Sequence, residues 1–385
     1  MGDGCDTTDR EQAGRTAVAL VALLGVTFLA FVNYAALLPV VPMWAVLGGA
    51  TDVAVGVTTG AMMAATVLTQ MAMLRLSRTV RLRSLMLAGL LLLGAPTPLY
   101  LLSTDFAPIM AITILRGIGF AFMVTAGATL VGTLAGTGRL ASSASWYGVA
   151  AALPNIGALA GGVWATEALG YALVFWASGA ACIAAAFIAW SLPNHRSTFR
   201  LGNVALTRRI ALPLILFALT AGAFGAVTTF LALSGPTASV SATALLAAST
   251  ALVAGRLLAG YVGDRRKAAP LLFIAVIVAA CGVGQIGLSL DGHPVWLIAG
   301  ASLLGAGFGA SQNDSFVATV ERLGRDNSGT ASTIWNATYD GGLGAGAVAL
   351  GGAIGYLGYD RAFLAMAAAM IATIVVAPRS IWKQG

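Results

Sequence analysis

Asp340 stands in the segment NATYDGGLGAG (336–346), inside a run that is otherwise Ala, Leu, Gly and Ile. A charge near the middle of a bilayer costs at least about 2.5 kcal/mol, and removal from water favours the protonated form of a carboxyl group. The chemistry open to Asp340 is therefore reversible proton binding. The alternatives are a counter-charge for a cationic substrate and a structural carboxylate tied to a neighbouring helix. Arg116, in LRGIGFA (115–121), is the basic counterpart. A guanidinium does not give up its proton, so this residue can only hold a carboxylate or receive an anionic substrate. Whether the two residues pair is not readable from their spacing. SQNDSF (311–316) adds Asp314, either a second titrating site or half of an ion pair near Glu321 and Arg322. Its neighbours Gln312 and Asn313 point about 100° apart on a helix.

Polar and aromatic residues in the same kind of surroundings complete the candidate set. Asn33 and Tyr34 interrupt an apolar run, and Asn155 follows Pro154, where proline frees a backbone carbonyl. Asn336 and Asp340 are four apart, as are Trp335 and Tyr339, which makes two adjacent stripes on one helical face. Amides beside aromatic rings can line a substrate cavity. Ordinary packing, an interfacial aromatic belt and amide contacts between helices are the competing readings. Asp52, Asp105, Glu167, Asp291 and Asp360 fall at span ends and read as solvated.

These residues need elements to hold them. Of 385 residues, 58% are hydrophobic and 9% charged, and the mean hydropathy is +0.89. A soluble domain carries about 25% charged residues. Twelve apolar windows follow one another at roughly 16–38, 52–74, 84–103, 107–133, 142–166, 170–192, 210–234, 242–263, 268–289, 294–320, 328–354 and 360–378. Each is near the 20 or so residues a helix needs to cross hydrocarbon. The chain reads as an all-α membrane protein with twelve transmembrane helices. Eighteen of the 21 Lys and Arg residues lie in the tails or the even-numbered connections; the others are Arg116, Arg256 and Arg361. The positive-inside rule then puts both termini and the 193–209 connection in the cytoplasm. The formal charge of +7 needs no nucleic acid to explain it. The first fifteen residues read as a short tail and not a signal peptide. Cys5, Cys182 and Cys281, with only two histidines, form no metal-ligand spacing.

The chain repeats at an offset of about 188 residues. LRGIGF (115–120) aligns with LLGAGF (303–308), and ASSASW (141–146) with TASTIW (330–335). The expected organisation is a six-helix bundle over 1–192, a cytoplasmic linker at 193–209 and a second bundle over 210–385. That plan is found in secondary transporters, where substrate sits between the halves near the midplane. No phosphate-binding GxxxxGK[ST] loop is present.

Over nearly its whole length the sequence resembles the major facilitator superfamily. GYVGDRR (260–266) is similar to the superfamily's Gly-x-x-x-Asp-Arg loop, LRGIGFA to its Arg-x-x-x-Gly motif in span 4, and GVAAALPNIGALAGG (148–162) to the Gly- and Pro-rich span-5 motif of proton-coupled exporters. After span 2 the expected Gly and Asp are Met73 and Ser77, and Leu153-Pro154 replaces a Gly-Pro pair. Spans 10 and 11 resemble bacterial exporters of sugars or small metabolites. The resemblance implies a multi-pass protein of the bacterial cytoplasmic (inner) membrane, not an enzyme, exporting a small organic molecule in exchange for protons. Proton-coupled import, or facilitated passage, of a metabolite is the alternative. It implies proton-coupling roles for Asp340, Arg116 and Asp314, and an inner gate formed by Arg256, Asp264 and Arg265. The residues expected to bind substrate are Asn33, Tyr34, Asn155, Gln312, Asn313, Trp335, Asn336 and Tyr339. Protons, substrate and membrane lipid are the expected partners of a monomer, with no cofactor, metal or nucleic acid.

Overall fold

A computed structural model describes residues 3–76, 79–134, 140–198, 208–263, 268–324 and 328–376. Among them twelve α-helices run in order: α1 (Asp3–Leu47), α2 (Asp52–Leu76), α3 (Leu82–Gly94), α4 (Phe106–Leu134), α5 (Leu140–Leu169), α6 (Tyr171–Ala189), α7 (Arg208–Ser234), α8 (Ala238–Gly263), α9 (Ala268–Ser289), α10 (Pro294–Leu323), α11 (Ser328–Leu357) and α12 (Tyr359–Val376). Eleven are long and apolar enough to cross a membrane, α3 doing so together with a 3-10 turn at Thr97–Leu102. The twelfth, α11, has the length at 30 residues; Asn336, Asp340 and its many glycines lower its hydropathy. The all-α membrane architecture expected of the sequence is the one observed.

At two ends proline acts in opposite ways. Proline lacks the N–H that continues a helix and crowds the turn before it, which placed the end of the first span at residue 38. Instead α1 continues through Pro39 and Pro42 to Leu47, and Pro39 lies among buried residues. At Ala95–Pro98 the same chemistry does act: α3 stops at Gly94 and the chain tightens into the 3-10 turn.

Glycine carries much of the packing, because small residues let helix backbones approach in lipid. A Cβ on Gly89 of α3 would meet Met123 N of α4 at 2.6 Å, and one on Gly282 of α9 would meet Gly300 O of α10 at 2.6 Å. Gly117 of α4 sits against Met62 of α2 and, 188 residues on, Gly305 of α10 sits against Ala248 of α8. The internal repeat seen in the sequence is thus repeated as contacts.

Between the first six helices and the last six, α2 packs on α11 and α5 on α8. The α2–α11 contact is concentrated at the start of α2 and the end of α11. There Gly56 lies on Ala347, Gly60 on Val348, and Gly351 on the Asp52 carbonyl. Thr59 and Thr229 share a hydrogen bond of 2.9 Å, and Tyr359 donates to Asp52 Oδ1 at 2.8 Å. The end of the molecule carrying the α1–α2 and α11–α12 connections is therefore sealed by backbone contact and two hydrogen bonds. At the opposite end a two-stranded antiparallel ribbon forms between β1 (Thr79–Arg81) and β2 (Arg196–Thr198), with Val80 opposite Ser197. It pairs the first part of the expected linker with the α2–α3 connection.

Candidate functional site

Asp340 lies twelve residues into α11, about 18 Å from the start of the helix at 1.5 Å per residue. It is buried at 4% exposure. The side chain of Gln70, from α2, approaches its carboxyl group. Among the described residues no cation pairs with it. The carboxyl thus sits on the seam between the two sets of six helices, contacted by an amide from the other side.

Two tyrosines share that seam. Tyr34 of α1 is 2% exposed, and its ring stacks on Phe120 of α4 with centroids 4.4 Å apart and 9° between planes. Its hydroxyl approaches Tyr339 and the Asp340 carboxyl, and Tyr34 Oη is buried without a hydrogen-bond partner. Tyr339 in turn belongs to a layer of near-parallel rings from α7, α10 and α11. Phe217 stacks on Trp335 at 4.6 Å, Phe224 on Phe308 at 4.7 Å, and Tyr339 lies 5.9 Å from Phe308 and 6.1 Å from Trp335. Trp335 is fixed further by donating Nε1–H to Ser315 Oγ at 2.9 Å. Phe120 and Phe308, the platforms under Tyr34 and Phe224, are equivalent positions under the repeat.

Arg116 is held elsewhere. It is 1% exposed, and its guanidinium donates to Asn33 Oδ1 at 3.1 Å and to the Tyr100 hydroxyl at 3.4 Å. Asn33 Nδ2 donates to Ser178 O at 2.9 Å and Thr97 Oγ1 at 3.3 Å, and the Tyr100 hydroxyl bonds Thr113 at 2.8 Å. This nest lies wholly within the first six helices, and the groups that accept from Arg116 in it are neutral. Arg116 therefore does not pair with Asp340. Adjacent residues part company here: Asn33 turns to Arg116, while Tyr34 faces the seam. In the second half, the position equivalent to Arg116 is Leu304.

The remaining candidates distribute as follows. Asp314 is buried and accepts from Asn313 Nδ2 at 3.2 Å, so its hydrogen-bond partner is an amide one residue away. Asn155 and Asn336 each donate to a carbonyl one turn back in their own helix, Ala151 O at 3.2 Å and Ser332 O at 2.8 Å. Gln312 accepts a 3.4 Å contact from Arg256 Nη1. Arg256 is exposed and interacts electrostatically with Tyr339, so it stands beside the aromatic layer. Its expected gate partners, Asp264 and Arg265, lie outside the described residues. Among the described residues no cluster of His, Cys, Asp or Glu could hold a metal. Gln70 was not among the expected site residues. Its signal in the sequence is a lone amide in span 2, whose other polar residues past Asp52 are threonines.

The family model described as Major Facilitator Superfamily matches residues 23–347. The chain belongs to that superfamily. Solved transporters share its fold at low identity. A POT family transporter in complex with a thioalcohol-conjugated peptide superposes with a TM-score of 0.80 at 12% identity, covering 95% of this chain and 96% of that one. The nucleoside transporter NupG gives 0.71 at 13%, over 95% and 100%. A bacterial homologue of the human lysosomal transporter Spinster, inward-facing and occupied, gives 0.73 at 14%, over 94% and 95%. No curated protein matches the chain. For a major facilitator superfamily protein, one local departure matters to the site. Four residues after Arg116, where the motif it resembles has Gly, stands Phe120, and its ring is the platform for Tyr34.

Proposed function

We propose that the protein is a secondary active transporter that exports a small organic molecule in exchange for protons by alternating access, with Asp340 as the proton-binding group. The observation that carries this reading is the position of Asp340. It is a buried carboxyl at mid-helix, on the seam between the halves, touched by Gln70 from the opposite half and, among the described residues, neutralised by no cation. In the protonated form it can rest in that apolar seam, and as a carboxylate it calls for water or a ligand. Rocking of the halves about the seam moves it between those surroundings. The Pro154 and glycine pattern of α5, which resembles that of proton-coupled exporters, supports export as the direction.

The test has two steps. Cells making the protein are challenged with a panel of toxic compounds, where export raises tolerance and import lowers it. The compound so identified is then followed in proteoliposomes under an imposed pH gradient. Asp340→Asn is expected to insert and bind, yet to lose accumulation against the substrate gradient. Unchanged proton-driven accumulation by this variant overturns the role of Asp340.

A further inference from the structure

We propose that the transported molecule is a carboxylic acid with a planar, unsaturated body, its carboxylate paired with Arg256 and its body laid against Trp335 and Tyr339. This deepens the proton-coupled reading above and rests on it in one respect: with a proton on Asp340, Arg256 is the charge left facing the site.

Four residues of formal charge lie in the interior of the spans among the described residues: Arg116, Arg256, Asp314 and Asp340. Arg116 is sealed inside the first six helices and bonded to Asn33 and Tyr100. Asp314 and Asp340 are buried against amides. Arg256 alone of the four is exposed, and its hydrogen bond to Gln312 is a long 3.4 Å contact to a neutral acceptor. Five N–H donors in a planar fork suit a carboxylate in two-point contact, and no side chain of the described residues supplies one. Exposed, and bonded among the described residues only to a neutral amide, the Arg256 guanidinium is open to an anionic ligand that supplies the opposite charge. The body of that ligand follows from the wall beside it. Trp335 and Tyr339 are half-buried, near-parallel at 12°, and backed by the buried rings of Phe217 and Phe308. Trp335 is also pinned to Ser315, so the wall is preformed. Planar unsaturated groups pack well on such faces.

The experiment measures binding in detergent at one pH, where no gradient exists, by ligand-induced thermal stabilisation. The probes are benzoate and indole-3-acetate, each beside its primary amide. The acids are expected to stabilise the wild-type protein and the amides not. Arg256→Gln should weaken the acids by about tenfold or more, and Arg256→Lys by less, because a point charge keeps attraction but loses the fork. Trp335→Leu, which keeps Arg256, should weaken both acids while preserving the preference of acid over amide. Equal effects of acids and amides, indifference to Arg256→Gln in a protein that folds, or no stabilisation of wild type by either acid overturns the proposal. Acid binding that persists while Asp340→Asn keeps full proton-driven transport sinks the coupling role alone.

Discussion

The side chain of Gln70 of α2 faces Asp340 of α11 across the contact between the first six helices and the last six. The amide is 7% exposed and the carboxyl 4%, so neither can fall back on water. Removing the amide leaves a buried carboxyl less well satisfied, at a cost of about 1–3 kcal/mol. Gln70→Leu is therefore expected to insert normally while lowering gradient-driven transport by about tenfold or more. Vesicle transport assays beside membrane expression levels check this. A variant with full transport shows the contact to be incidental.

Arg116 depends on neutral acceptors. Asn33→Leu removes the shorter of its two bonds and leaves a buried guanidinium partly unsatisfied, at a cost of about 2–3 kcal/mol. A lower melting temperature in detergent is expected. Asn33→Asp keeps the acceptor and adds a counter-charge but loses the donation to Ser178 O and Thr97 Oγ1, and should melt between Asn33→Leu and the wild type. Equal melting of all three proteins contradicts this account.

The glycine seam admits a paired test. A Cβ on Gly346 would strike the Gly222 backbone, whereas one on Gly341 meets nothing within 4 Å. Overpacking costs about 1–3 kcal/mol. Gly346→Ala should lower the melting temperature by several degrees, and Gly341→Ala should leave it unchanged.

At the sealed end, Tyr359→Phe deletes the donor to Asp52. A hydrogen bond to a carboxylate is worth about 1.5 kcal/mol at the low end of its range, which suits a half-buried place, so this end should open about tenfold more often. Met63→Cys, in a background freed of Cys5, Cys182 and Cys281, reports opening by its labelling rate with a thiol reagent. An unaltered rate refutes the latch.

Much of the architecture was legible because bilayer thickness dictates helix length: runs of about 20 apolar residues repeat, and charge gathers between them. Asp340 was legible for the same reason, since a carboxylate in such a run has a cost that any sequence reading registers. Partnership was not. Asn33 and Tyr34 are neighbours in the chain, but successive residues on a helix diverge by about 100°. Only the packing of α1 tells that one serves Arg116 and the other the seam. Asp52 read as a solvated end residue because its partner, Tyr359, is 307 positions away. Gln70 passed unremarked because a single amide in a span is as often helix glue as a site. Pro39 misled by local chemistry that the packing of α1 overrides.

The small ribbon of residues 79–81 with 196–198 bears on force transmission. It ties the start of the 193–209 connection, which follows directly from α6, to the corner between α2 and α3. Tension drawn through it reaches α3, which begins at the residue after β1 and whose first amide bonds the His195 carbonyl.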